Sequence, residues 1–157
     1  MQDAIRIVRW RKKYENDFIL LNKEWIEYYF QLESGDLDVL GNPEGEIINK
    51  GGEIFFALLH DKVIGCCALI HHEANDTYEL AKMAVSPKAQ GKGAGYLLGT
   101  TLIAYARSKG IRHLFLEANT LLESSIRLYH KLGFKGVPMD HPAYSRCNLY
   151  MEADIGH

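Results

Sequence analysis

Apolar positions mark out the elements of the chain before any chemistry is considered. Ile5, Val8 and Trp10 stand among charged neighbours and predict a first strand over residues 4–10. Residues 14–32 contain no glycine or proline. Phe18, Leu21, Trp25, Tyr28, Tyr29 and Leu32 recur there at helical spacing, which predicts one or two helices. Glycines at 35, 41, 45, 51 and 52, with Pro43, make residues 33–52 read as a loop around one short helix near 44–49. Residues 53–60 and 63–72 are apolar runs joined at Asp61-Lys62, an antiparallel hairpin. A further strand spans 77–85. A helix follows over 93–109, with Leu98, Leu102, Tyr105 and Ala106 on one face and Gly110 as its C-cap. Residues 113–118 form a strand and 124–132 a helix stopped by Gly133. Short strands over 134–137 and 146–152 finish the chain. A run of strands followed by alternating strands and helices predicts an α/β (α+β) fold, a mixed sheet with helices on its faces.

Composition narrows the function classes. The 157 residues fit one domain over 1–157. A formal net charge of -2 argues against a broad nucleic-acid-binding surface. No apolar run approaches the roughly 20 residues of a membrane span, and residues 1–6 lack the apolar stretch of a secretory leader. Cys66, Cys67 and Cys147 are odd in number and lack metal-ligand spacing, so reduced thiols in a cytoplasmic protein are expected.

The chemistry concentrates between residues 79 and 95. A strand ends at Ser86-Pro87, a loop carries Gly91, Gly93 and Gly95, and a helix starts at once. Glycines let a ligand approach the backbone, and a helix N-terminus offers free amides and the positive end of its dipole. Together these make a phosphate or pyrophosphate site, although glycine spacing alone also fits a tight turn that binds nothing. A Walker loop needs Ser or Thr after Gly91-Lys92, where Gly93 stands. A dinucleotide fold needs an acidic residue about 20 positions on, where Lys109-Gly110 stands.

Gln90-Gly91-Lys92-Gly93-Ala94-Gly95 resembles the Gln/Arg-x-x-Gly-x-Gly/Ala signature of the GNAT superfamily of N-acetyltransferases. Ile126-Arg127-Leu128-Tyr129-His130-Lys131-Leu132-Gly133-Phe134 is similar to its Leu-Tyr-x-Lys-x-Gly-Phe motif, at the right separation. The resemblance is strong over residues 77–134 and weak before residue 53. It implies a splayed mixed sheet of six or seven strands with helices on both faces. Acetyl-CoA would wedge where strands 77–85 and 113–118 part. Backbone contacts are then expected from Met83, Ala84 and Val85, and the pyrophosphate at Gln90, Gly91, Lys92, Gly93, Ala94 and Gly95. An Asn common in the family is missing, since Leu122 and Ser125 stand at the corresponding positions. Its CoA contact is expected from Ser125, or from Asn119 just upstream.

The implied reaction is direct attack of an amine on the thioester in a ternary complex. It needs a deprotonated amine, a polarised carbonyl and a proton for the thiolate. The resemblance gives the last task to Tyr129, which otherwise reads as a half-buried helix aromatic, and offers a backbone N–H near Met83 or Val85 for the carbonyl. Glu79 is the candidate base. Strand alternation puts it on the face of Ala81, Met83 and Val85, where an apolar row would raise its pKa. It lies roughly 13 Å from Met83 at strand rise, so its proton would pass through water. A solvated Glu at the strand's start is an equal alternative.

Weaker signals remain. His71-His72-Glu73 makes a poor chelate, because adjacent strand residues point to opposite faces, and no metal is expected. Cys66-Cys67 reads as buried structural cysteine. Glu117 fits either a substrate contact or packing beside the cleft. The aromatics Trp25, Tyr28, Tyr29 and Phe30 read first as core. An acyltransferase and a non-catalytic acyl-CoA sensor or scaffold share the loop, while Tyr129 and Glu79 favour catalysis. Partners are then a small-molecule or peptide amine, with no nucleic acid and no membrane. The acceptor's identity, the acyl chain and the oligomeric state, a homodimer included, stay open.

Overall fold

The structure, a computed structural model, describes residues 4–137 and 145–156. Met1, Gln2 and Asp3, part of the stretch read for a leader, lie outside them. Seven strands form one sheet in the order β1-β2-β3-β4-β5-β7-β6: β1 (Arg6–Arg9), β2 (Glu53–Leu59), β3 (Lys62–His72), β4 (Thr77–Val85), β5 (His113–Ala118), β6 (Lys135–Val137) and β7 (Leu149–Asp154). All neighbours are antiparallel except β4 and β5.

The apolar runs of β2 and β3 have a direct cause. Ile54 to Leu58 and Cys66 to Leu69 are buried, because helices cover both faces of the sheet. Their hairpin turns at His60 and Asp61, both in the left-handed region (φ 52° and 62°), as a two-residue hairpin requires. On one face, Leu98, Leu102 and Ala106 of α4 (Ala94–Ser108) pack on Phe55, Leu69, Leu80, Leu114 and Leu116. On the other, Phe18 of α1 (Glu15–Tyr29) and Leu40 of α2 (Ser34–Gly41) pack on Ile54, Phe56, Ala68 and Ala84. The short helix α3 (Pro43–Glu46) follows α2, and α5 (Glu123–Lys131) follows β5.

Two elements differ from the sequence expectation. Residues 33–52 hold α2 as well as the short helix. Glu33 and Asp36 form a reciprocal capping box at its start, and Leu40 supplies a buried anchor, so Gly35 and Gly41 do not break it. The last strand is Leu149–Asp154, starting three residues later and ending two residues later than the expected 146–152. Arg146 is instead turned inward to the carboxylate of Asp36.

Candidate active site

The site begins where the sheet stops being a sheet. β4 and β5 are parallel and share a single register pair, Glu79↔Phe115. β5 pairs with β7 along its whole length on its other edge, and among the described residues the β5-facing edge of β4 from Leu80 to Val85 has no strand partner. Backbone amides left without a partner in a protein interior are costly, so this edge is built to be completed.

A bulge reshapes the same strand. Ala68 pairs with Ala81 and Cys66 with Ala84, so β4 carries one residue more than β3. The extra residue is Lys82, with φ 53°. Alternation therefore reverses across it. Leu80 packs in the α4-side core, whereas Ala84 packs in the α1-side core. Met83 and Val85 consequently face α4, on the opposite side of the sheet from Glu79 and Ala81. The expectation that Glu79 shares a face with Met83 and Val85 is thus corrected. The expected apolar row is also absent, because Glu79 Oε1 lies 2.7 Å from Nε2 of His72.

The loop after β4 has the predicted geometry. Gly91 and Gly93 take φ of 83° and 82°, where a side chain is strained, and nothing lies within 4 Å of where a Cβ would stand. The cradle is open. Gly93 caps α4, and among the described residues no side chain caps the first-turn amides of α4. Gly95 and Gly99 are needed for a different reason. A Cβ at Gly99 would fall 2.4 Å from Leu132, and one at Gly95 3.0 Å from Leu128. This close approach lets α5 press on α4 and carries Tyr129 to the cleft.

Two cavities meet there. The outer one, about 370 Å³, is lined by Met83, Val85, Gln90, Gly91, Gly93, Ala94, Gly95 and α5. The inner one, about 90 Å³, is lined by Glu79, Glu117, Asn119, Trp25, Phe30 and Cys147 among others. Trp25, Met83, Leu122, Ser125 and Tyr129 line both. Burial pushes the Tyr129 hydroxyl up to about 12, with Cys67 and Cys147 nearby adding to it. It makes no hydrogen bond to a described side chain.

Other predicted residues are distributed unevenly. Lys92 is exposed and lies on the opposite lip, beside a separate surface groove. Asn119 faces the inner cavity alone. Its Nδ2 donates to the Arg146 carbonyl at 2.6 Å, and its Oδ1 accepts from the Leu121 N–H at 2.8 Å, so its amide organises the loop after β5. Cys66 and Cys67 are fully buried, as read, and burial raises both thiols. The aromatics read first as core are partly cavity wall, through Trp25, Tyr29 and Phe30, while Tyr28 is 78% exposed. Among the described residues, no cluster of three or more His, Cys, Asp or Glu is placed to hold a metal ion.

A buried ion cluster went unread. Asp36 Oδ1 lies 2.8 Å from Lys82 Nζ, and the Arg146 guanidinium reaches both Asp36 oxygens at 2.7 and 2.8 Å. Burial alone would raise Asp36, but hydrogen bonds from Arg146 and Lys82 outweigh it and hold the carboxyl at about 2. No local pattern could have joined residues 46 and 110 positions apart.

The family model for the acetyltransferase (GNAT) family matches residues 9–134. The chain belongs to this family. Among solved structures, a GNAT-family acetyltransferase from Staphylococcus aureus superposes with a TM-score of 0.85 at 21% identity, covering 97% of this chain and 99% of that one. An acetyltransferase from Salmonella typhimurium, solved with its cofactor acetyl-CoA, superposes with a TM-score of 0.77 at 20% identity, covering 97% and 94%. These likenesses establish the GNAT fold. By sequence, the chain is 29% identical to N-acetylaspartate synthetase of Rattus norvegicus over 85 residues, 54% of this chain and 28% of that protein. It is 27% identical to streptothricin acetyltransferase of Streptomyces lavendulae over 113 residues, 71% and 59%. The chain thus spans less than a third of the synthetase it matches.

Proposed function

We propose that this GNAT-family chain is a single-domain acetyltransferase that moves an acetyl group from acetyl-CoA to a primary amine by direct attack in a ternary complex. The observation that carries this is the shared wall of the two cavities. A cofactor lying in the outer one and an acceptor in the inner one would meet at Met83, Ser125 and Tyr129.

Acetyl-CoA fits the residues present. The unpaired β4 edge at Met83, Ala84 and Val85 suits the amides of a pantetheine arm. The open cradle of Gly91 and Gly93 and the start of α4 suit a pyrophosphate, with Gln90, Ala94 and Gly95 on the same rim. When bound, acetyl-CoA supplies the thioester carbonyl. Tyr129, protonated at neutral pH as any tyrosine is and pushed further up by burial, is the group that returns a proton to the departing sulfur. Glu79, within the inner cavity, draws a proton from the amine through water. Ser125 borders both cavities and is the expected hydroxyl contact, and Lys92 is free to reach a phosphate from the far lip.

No helix among the described residues is long and apolar enough to cross a membrane, and a cytoplasmic role acting on a small or peptide amine is consistent with that. The test is release of free CoA thiol from acetyl-CoA across a panel of amines, with thermal shifts measured alongside. Acetyl-CoA and CoA should raise Tm and NAD should not, because a native-state ligand stabilises by mass action. Binding without thiol release for any amine would favour a non-catalytic acyl-CoA sensor.

A further inference from the structure

In the inner cavity the Glu79 carboxylate is held by a histidine that does not itself line the cavity. Glu79 lines that cavity with a side chain only 13% exposed, while His72, at 42%, opens to solvent. The ladder does not dictate their contact. His72 pairs in register with Thr77, and Glu79 with Ile70, so the 2.7 Å bond runs diagonally between β3 and β4. Phe115 of β5 holds the imidazole from the other side, with ring centres 5.4 Å apart, and Tyr150 of β7 stacks on Phe115 at 5.3 Å. The imidazole is fixed with one nitrogen on the cavity's carboxylate and its ring on an aromatic wall.

We propose that His72 is a positioning residue for Glu79, holding the carboxylate in place and carrying to solvent the proton that Glu79 takes from the acceptor amine. This rests on the acetyl-transfer function proposed above.

Proton balance requires such a path. An acceptor enters as an ammonium with three N–H bonds and leaves as an amide with one. Two protons are lost from nitrogen. The C–S bond breaks as the C–N bond forms, and the sulfur takes one proton by way of Tyr129. The other must leave the site at every turnover. It passes through water to Glu79, then from Oε1 to Nε2 of a neutral His72 protonated at Nδ1; the imidazolium releases its Nδ1 proton outward, and proton exchange with solvent returns the ring to its starting tautomer. The N–H electron pairs stay on nitrogen and no redox partner is needed.

The charged groups around His72 set when this path is open. The hydrogen bond that the imidazolium donates to Glu79 raises its pKa most, partial burial opposes this, Glu117 of β5 adds to the rise, and the neighbouring His71 subtracts. On β7, Tyr150 and Glu152 continue the same face, with Tyr150 itself raised by burial and by the carboxylates of Glu152, Glu117 and Glu79. The pair is empty of its mobile proton only above the usual histidine range, so kcat/KM should rise with pH through that region.

His72→Gln keeps a hydrogen-bond donor for Glu79 but accepts no proton. We expect a loss of about tenfold in kcat/KM near neutral pH, with the acid limb displaced toward the carboxylate range. Independently of turnover, the imidazole NMR titration of His72 should show a midpoint above 6.5 that falls in Glu79→Gln. A His72→Gln enzyme with an unaltered pH profile, or one slowed equally at every pH, would overturn the relay, and so would a His72 midpoint indifferent to Glu79→Gln. A wild type that releases no CoA with any amine sinks the transfer function itself, and the relay with it.

Discussion

The ammonium of Lys82 sits 2.8 Å from the carboxylate of Asp36, with side-chain exposures of 5% and 0%. Lys82 is the bulge residue that turns Met83 and Val85 toward α4, so α2 is fastened to the point where β4 changes face. Arg146 completes the cluster from the approach to β7.

Removing one member should cost far more than the cluster is worth as a whole, because the remaining charges are left buried. Asp36→Asn is expected to destabilise by about 3–5 kcal/mol, read as a fall in Tm or in the denaturant midpoint. The wild type should also show an acid limb. Asp36 ionises at about 2 rather than 3.8, so its contribution, about 2 kcal/mol, is fully present above 3.8 and is lost as pH falls toward 2. Chemical denaturation between pH 5 and 2 checks this, since an Asp36→Asn protein that still folds should lack that part of the slope.

Gly93→Val tests the cradle. Space is open at that Cβ, so the fold should survive with a penalty of roughly 1–2 kcal/mol from forcing a side chain to φ 82°. The branched side chain would occupy the space a pyrophosphate needs, and CoA affinity measured by calorimetry should fall at least about tenfold, or ~1.4 kcal/mol. Unchanged affinity in a folded variant would reduce the loop to a turn.

How much was readable in the sequence follows from which forces are local. Strands β2 and β3 were legible as unbroken apolar runs, because helices bury both their faces, and helix α4 because its buried residues recur at helical spacing. The Gly91–Gly93 loop was legible because its φ values admit few other residues. Helix α2 was hidden by its glycines, since a capping box and one buried leucine outweighed them. The face of Glu79 was misassigned because alternation assumes an unbroken ladder, and one extra residue at Lys82 reverses it. The Asp36 cluster and the His72–Glu79 bond depend on three-dimensional proximity alone.

Tyr129→Phe separates chemistry from packing. The ring lies 6.5 Å, edge-on, from Phe134, and Phe preserves that contact. If the hydroxyl protonates the leaving sulfur, kcat should fall by roughly 10²–10⁴-fold. CoA affinity should stay nearly constant. Near-neutral kinetics would return Tyr129 to a packing role.

The thiols give a prediction that needs no substrate. Cys66 and Cys147 are pushed to about 12 by burial foremost, and Cys67 is raised as well. Thiolate is the reactive species, so an alkylating reagent at pH 7.5 should leave all three unmodified by mass spectrometry until denaturant is added. Prompt single labelling of the native protein would contradict the environment assigned to Cys147, the least buried of the three.

The lone rung between β4 and β5 has a wider meaning. A ligand that pairs with main chain along that edge reads a conformation rather than a set of side chains. Met83, Ala84 and Val85 could then change identity through a lineage without altering what is bound, provided the bulge and the gap endure. The site would then be carried by the shape of one broken ladder.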